Sequence, residues 1–249
     1  MKNLEASFSI FTMKGVLPFL LRGVAFTVVI SAVAVLVGVV FGYLLAIARN
    51  YCTKKDNRIL GILATLYIEL FRNTPLLLWI FICLVFLPIP GFLKRKMLGL
   101  SSVEAGLLFK GAFALILFES SVIAEIVRGG LNAIPAGQFE AAKSQGFSSV
   151  QTMIYIILPQ VYHKIVPTLL SQVISTIKDS SYLANIAIIE LMARTKQVLA
   201  NANRYNGTGQ INVLDVFVLF GFAFAIYFVI DFTLSIIVRR TAKKELRAR

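Results

Sequence analysis

Between Arg22 and Arg49 the chain runs about 26 residues, Gly23 to Ala48, without one charged side chain. As a helix rising about 1.5 Å per residue, that stretch reaches roughly 39 Å, enough to cross the hydrocarbon of a bilayer with some tilt. A lipid-exposed backbone has no water to satisfy its amides, so a spanning segment of this kind has to be helical. Similar apolar stretches recur at about 59–87, 107–127, 165–189 and 214–238. Together they predict an all-α polytopic membrane protein, with five transmembrane helices in a single domain over residues 1–249. Composition agrees: only 15% of residues are charged and the mean hydropathy is +0.81, whereas an ordinary globular protein carries roughly a quarter charged residues.

A net charge of +13 invites a nucleic-acid reading. The basic residues flank apolar spans instead of forming a soluble patch, so no nucleic-acid partner is expected and membrane lipid is. Cys52 and Cys83 fall at opposite ends of consecutive segments, too far apart to bridge. The first apolar run is too long for a signal peptide, and residues 1–18 suit an interfacial helix. Gly38 and Gly42, followed by Ala46, form a stripe of small residues suited to close intramolecular helix contact. His163 is the chain's single histidine, which leaves no pattern for a metal site. No Gly-x4-Gly-Lys-Ser/Thr phosphate loop occurs, so no nucleotide site is expected on this chain.

Charges inside the spans are costly and mark candidate function. Arg72 and Lys178 each lie 13 residues into a predicted span, roughly 20 Å deep if the helices are straight. At equal depth they would suit a clamp for a carboxylate, Arg72 as a planar fork and Lys178 as a point charge. Glu69 shares a helical face with Arg72, and Asp179 adjoins Lys178; either acid can receive an ammonium group. Asn73-Thr74-Pro75 should break its helix and free backbone groups for a ligand. Ser180, Ser181 and Glu119 complete the candidate substrate-binding set. The plainer reading is that Glu69–Arg72 and Lys178–Asp179 neutralise each other or bridge subunits, and that Glu119, with Ser120 and Ser121, only bonds between helices.

One segment is amphipathic instead of apolar. From about 135 to 159 it reads as two short helices joined at Gly146, with Pro135 in the first turn and Ser148 or Ser149 capping the second helix. Glu140-Ala141-Ala142, Gly146 four positions later, and Ile156-x-Leu158-Pro159 resemble the cytoplasmic loop of bacterial ABC-importer permeases. The stretches Glu69–Pro75, Phe118–Leu131 and Ile177–Ser181 are similar to segments of the polar amino-acid subfamily, the histidine/glutamine/arginine-type permeases. Tyr182 departs from the leucine usual there.

The resemblance implies a type I importer permease core of five transmembrane helices with a cytoplasmic coupling helix. It implies a transport subunit, not an enzyme, in the bacterial inner membrane, with its N-terminus outside and its basic tail, 239–249, cytoplasmic. The Lys/Arg asymmetry of the loops supports that orientation only weakly. Implied partners are a cytoplasmic ABC ATPase dimer carrying ATP and magnesium, a second copy or homologous permease, and an extracytoplasmic solute-binding protein. The cargo would be a polar amino acid. Glu140, Ala141, Ala142, Gly146, Ile156, Leu158 and Pro159 would couple to the ATPase. An ion-coupled secondary transporter is the alternative, disfavoured by the absence of an obvious inverted repeat. A non-transporting scaffold would have no reason to carry charges in the membrane.

Overall fold

A computed structural model describes residues 2–51, 58–94, 99–206 and 209–247. The described chain is nearly all helix. α1 (Lys2–Ser9) leads through a short 3-10 turn to the long α2 (Val16–Tyr51), then α3 (Arg58–Arg72) and α4 (Leu76–Phe86). Next come α5 (Ser102–Asn132), α6 (Ala136–Ser144), α7 (Ser149–Gln151) and α8 (Leu158–Asp179), followed by α9 (Leu191–Ala200), α10 (Ala202–Tyr205) and α11 (Val213–Arg247).

Among the described residues, four helical stretches are long and apolar enough to cross a membrane, at Val16–Asn50, Ser102–Asn132, Ser149–Ile186 and Val213–Arg240. The predicted second span is not one straight helix. α3 and α4 differ in direction by 108° across Asn73–Pro75, and count as a fifth crossing only if taken together. Pro75 has no N–H for the helical ladder, and the residue before a proline is driven out of helical geometry, so the chain breaks here. The side chains of the break finish the helix: Asn73 Nδ2 donates to Glu69 Oε2 at 2.9 Å, and Thr74 Oγ1 donates to the Leu70 carbonyl at 2.6 Å. Arg72 is the last residue of α3, immediately before the break.

The chain divides into two compact units. The first comprises residues 1–34, 77–115 and 175–233. In its core Ile10, Val16 and Leu20 pack with Val198, Ala202 and Leu219. In the N-terminal segment Phe8 is exposed. Ile10, however, is fully buried, and Ser7 Oγ donates to Asp215 Oδ1 at 2.6 Å. Asp215 also accepts from Asn206 Nδ2 at 2.7 Å and from the Asn212 N–H at 2.9 Å, which ties the loop before α11 to the start of the chain. Cys83 is a buried free thiol; Cys52 lies outside the described residues.

The second unit comprises residues 35–76, 116–174 and 234–249. Ala46, Ile68, Ile123, Val127, Ile157, Val161 and Ile165 are buried in its core. The small-residue stripe does what its spacing predicts. A Cβ added at Gly42 would lie 2.7 Å from Ile123 Cγ2 and 3.0 Å from the Ala124 nitrogen, and one at Gly38 would lie 3.1 Å from Glu119 Cβ. α2 and α5 thus touch backbone to backbone through two glycines one turn apart.

Candidate functional site

Arg72 and Glu69 belong to a charged cluster in the second unit. Arg49, in the last turn of α2, donates through Nη2 to Glu69 Oε1 at 2.8 Å and through Nη1 to Glu125 Oε2 at 3.1 Å. Glu125 also lies 3.7 Å from Arg72 Nη1, and Arg128 Nε donates to its Oε1 at 2.8 Å. Glu69 thus pairs across helices with Arg49, with no ion pair to Arg72 along its own helix among the described residues, and Glu125 is shared among three guanidinium groups. Arg49, Glu125 and Arg128 were not among the sequence candidates. Each sits at the edge of an apolar run, where a charge normally reads as a headgroup-level flank.

Two turns away on α5, Glu119 is fully buried and accepts from Gln172 Nε2 of α8 at 3.0 Å. Beside it, the Tyr67 hydroxyl lies 2.7 Å from Ser120 Oγ and 2.9 Å from the Leu117 carbonyl. Ser121 is turned back on the Phe118 carbonyl at 2.6 Å. The Glu119–Gln172 and Tyr67–Ser120 bonds run between helices, whereas that of Ser121 stays within α5.

The amphipathic loop has the predicted two-part form. α6 ends with Gly146 at φ 81°, where the Phe147 N–H reaches the Ala142 carbonyl and the Gly146 N–H the Lys143 carbonyl, each at 3.1 Å. That is the paired-bond helix ending in which the left-handed position favours glycine. Ser148 and Gln151 then cap α7 reciprocally, side chain to backbone in both directions. Pro135 stands one place earlier than expected, as the N-cap residue of α6. Thr152–Ile157 forms a widened π-turn just before Pro159, which lacks the N–H that a regular turn would need there. Ala142 is buried, and Ile156 and Leu158 pack on the second unit's core, whereas Glu140, Ala141, Gly146 and Pro159 are exposed. The motif therefore has two faces, one holding the loop and one open.

In the first unit, α8 ends at Lys178-Asp179 and passes into a 3-10 segment, Ser180–Ile186. Ser180 is buried and its Oγ donates to the Ile177 carbonyl at 2.7 Å. Lys178 and Ser181 line a cavity of about 290 Å³ with Met192 and four residues of α11: Phe220, Ala223, Phe224 and Tyr227. Lys178 makes no ion pair within 4.0 Å among the described residues.

Behind that cavity lies a residue the sequence did not single out. Glu190 is fully buried and caps α9, accepting the N–H groups of Met192 at 2.8 Å and Ala193 at 2.6 Å. The Tyr227 hydroxyl donates to the same carboxylate at 3.1 Å and Thr27 Oγ1 donates at 3.4 Å. Burial outweighs these donors and pushes the carboxyl up to about 7. A helix N-cap is the one signal that could have found it, since Asp is the commoner acid there. Nearby, Arg194 is buried, donates to the Phe19 carbonyl at 2.7 Å, and stacks 4.3 Å from the Phe19 ring centre. Burial lowers its pKa from the ordinary value.

Residues 38–244 match the family described as binding-protein-dependent transport system inner membrane component. The chain belongs to that family. Its members are inner-membrane components of binding-protein-dependent transport systems, and the relatives that follow are permease subunits, not enzymes, which decides against the ion-coupled alternative. The chain is 33% identical over 224 residues to the probable glutamine ABC transporter permease protein GlnP of Bacillus subtilis, covering 90% of this chain and 92% of that one. It is 33% identical over 233 residues to the glutamate/aspartate import permease protein GltK of Escherichia coli O6:H1, covering 91% and 95%. Among solved structures it is similar to an amino acid ABC transporter with histidines, with a TM-score of 0.72 at 26% identity over 94% of this chain and 98% of that one. The inward-facing MetNI methionine ABC transporter shares the fold, with a TM-score of 0.66 at 20% identity over 92% and 98%. The chain is the multi-pass inner-membrane subunit of an ABC importer.

Proposed function

We propose that this permease, with a second copy or a homologous permease, forms the pathway for a polar amino acid handed over by an extracytoplasmic binding protein. A cytoplasmic ATPase dimer, which alone carries ATP and magnesium, docks on the loop Gln138–Pro159. In this reading the loop and the basic tail are cytoplasmic and the N-terminus is outside. The observation that carries it is the division of labour in the loop. Ala142, Ile156 and Leu158 anchor it inward, while Glu140 and the large apolar side chains Phe147, Val150, Ile154 and Tyr155 are left exposed. Apolar groups displayed on so stiff a turn suit a partner's groove, and Glu140 suits a basic residue on its rim. The glutamine and glutamate/aspartate permeases it resembles support an amino-acid cargo.

Within the membrane we assign substrate contact to Lys178 and Ser181, with Asp179 and Ser180 shaping their turn. Glu69, Arg72, Asn73, Thr74 and Glu119 hold helices in place through the partners described above. The docking reading is tested by co-purification with the ATPase subunits. Phe147→Asp and Val150→Asp should each lose the ATPase while the permease still inserts in the membrane. Undiminished co-purification would overturn it.

A further inference from the structure

Lys110 is a cation set in the third turn of a membrane-spanning helix, α5. Its Nζ donates to the Leu84 carbonyl at 2.6 Å. That carbonyl belongs to the last turn of α4, where no intrahelical N–H is left to bond it and the helix dipole favours a cation. The bond uses one of three ammonium N–H groups. Lys110 makes no ion pair within 4.0 Å among the described residues. A charge placed in an apolar helix needs water or a counter-charge within reach.

Lys110 also lines a cavity of about 400 Å³, together with Ser102, Val103 and Leu107 of α5 and Ile89 beyond α4. Val103, Leu107 and Lys110 are spaced four and three apart, so they share one helix face. The cavity thus lies over the turns N-terminal to Lys110, the direction in which helical side chains lean. α5 has 31 residues, which at about 1.5 Å each makes roughly 46 Å, longer than a hydrocarbon slab of about 30 Å. Its first turn therefore stands at headgroup level, and the Lys110 side chain reaches back toward it.

Close packing fixes the opposite wall. A Cβ at Gly106 would lie 2.5 Å from Ile89 Cδ1, so the bare glycine lets Ile89 seat against α5. The lining comprises one cation, one hydroxyl and three aliphatic side chains, with no acid. Glu104, the acid nearest to Lys110 in sequence, is bound by the Ser101 N–H at 2.8 Å and the Ser101 hydroxyl at 2.7 Å. Val103 is exposed at the rim, as are Val85 and Phe86 beside Leu84.

We propose that this cavity holds the phosphate of a membrane phospholipid whose headgroup carries no cation. Lys110 donates to a phosphate oxygen and Ser102 supplies a second donor from the first turn. The glycerol and upper acyl chain lie along Val103, Leu107 and Ile89. A free phosphate gains nothing from those aliphatic walls, and a choline or ethanolamine headgroup finds no carboxylate. Through Lys110 the lipid and the Leu84 carbonyl are joined, which ties the second half of the broken span to α5. The site is independent of the transported cargo.

The test uses the complete transporter, delipidated in detergent, with phosphatidylglycerol, phosphatidylcholine of the same acyl chains, and inorganic phosphate as probes. Native mass spectrometry follows the lipids retained and gives an apparent Kd, and the difference between wild type and variant reads this site alone. Phosphatidylglycerol should bind several-fold tighter than phosphatidylcholine, and excess inorganic phosphate should not displace it. A charge-assisted hydrogen bond corresponds to about 10-fold or more in affinity. Lys110→Gln keeps a donor for Leu84 but loses the charge, and should weaken phosphatidylglycerol about 10-fold, whereas Lys110→Arg should keep most of the affinity. Val103→Asp sets a repelling charge at the exposed rim without touching the Lys110 bond, and should weaken it several-fold. It carries the test if melting of the delipidated Lys110→Gln transporter shows a folding failure. Wild-type retention by folded Lys110→Gln or by Val103→Asp would overturn the proposal, as would equal binding of phosphatidylcholine or displacement by inorganic phosphate.

Discussion

The two units handle charge in opposite ways. In the second, Glu125 collects Arg49, Arg72 and Arg128, and its side chain keeps 21% exposure. In the first, Glu190 is fully buried and is surrounded by neutral donors. A shared cluster of opposite charges works where some water remains, because Coulomb attraction then need not repay full desolvation. A completely buried carboxylate instead relies on dipoles aimed at it, and its raised pKa is the residual cost. The Glu125 cluster is thus salt-sensitive and the Glu190 site proton-sensitive.

The largest expected effect would break the Glu190 side of that contrast. Glu190→Ala strands the Tyr227 and Thr27 hydroxyls and two backbone N–H groups, and should cost roughly 3–4 kcal/mol in detergent melting. Glu190 also predicts a pH dependence. Its folded pKa of about 7 lies above the ordinary 4.5, so its contribution to stability is fully present below pH 4.5. That contribution declines as pH rises, and is gone above about 7, a total on the order of 3 kcal/mol. Wild type should melt lower at pH 8 than at pH 5, and Glu190→Gln should flatten that slope; an unchanged slope assigns it to another group.

Glu125→Gln is the matching break in the second unit, expected at roughly 2–3 kcal/mol because three guanidinium groups lose their shared acid. Its penalty should shrink in high salt, whereas that of Glu190→Ala should not. Equal salt responses would erase the distinction. Gly42→Ala probes the packing beneath the cluster. Its Cβ would sit 2.7 Å from Ile123, and overpacking of that kind costs about 1–3 kcal/mol. The smallest effect belongs to the loop. Gly146→Ala meets open space but must hold φ 81°, for about 1 kcal/mol, read as a lowered melting temperature with ATPase coupling weakened more than stability.

The sequence was informative wherever the cause is local. Apolar length fixed the helices, since lipid leaves the backbone no other choice. The run from Glu140 to Pro159 specified its own turn, because helix endings at glycine and caps at serine act over three or four residues. The Gly38–Gly42 stripe announced its own contact. The break at Asn73–Pro75 was legible too, although not the size of its bend.

What the chain alone left open was partnership across distance. Arg72 reads in the sequence as a carboxylate clamp with no sign of Glu125, which lies 3.7 Å from it, and Arg49 meets Glu125 across 76 positions. Glu190 stands one place past the fourth predicted span, and is bound by Thr27 from 163 positions away. A charge flanking an apolar run has the same local signature whether it faces headgroups or another helix. The bilayer dictates helices one at a time, residue by residue along the chain. Which polar atoms those helices bring together depends on how they pack, and only the tertiary structure decides that.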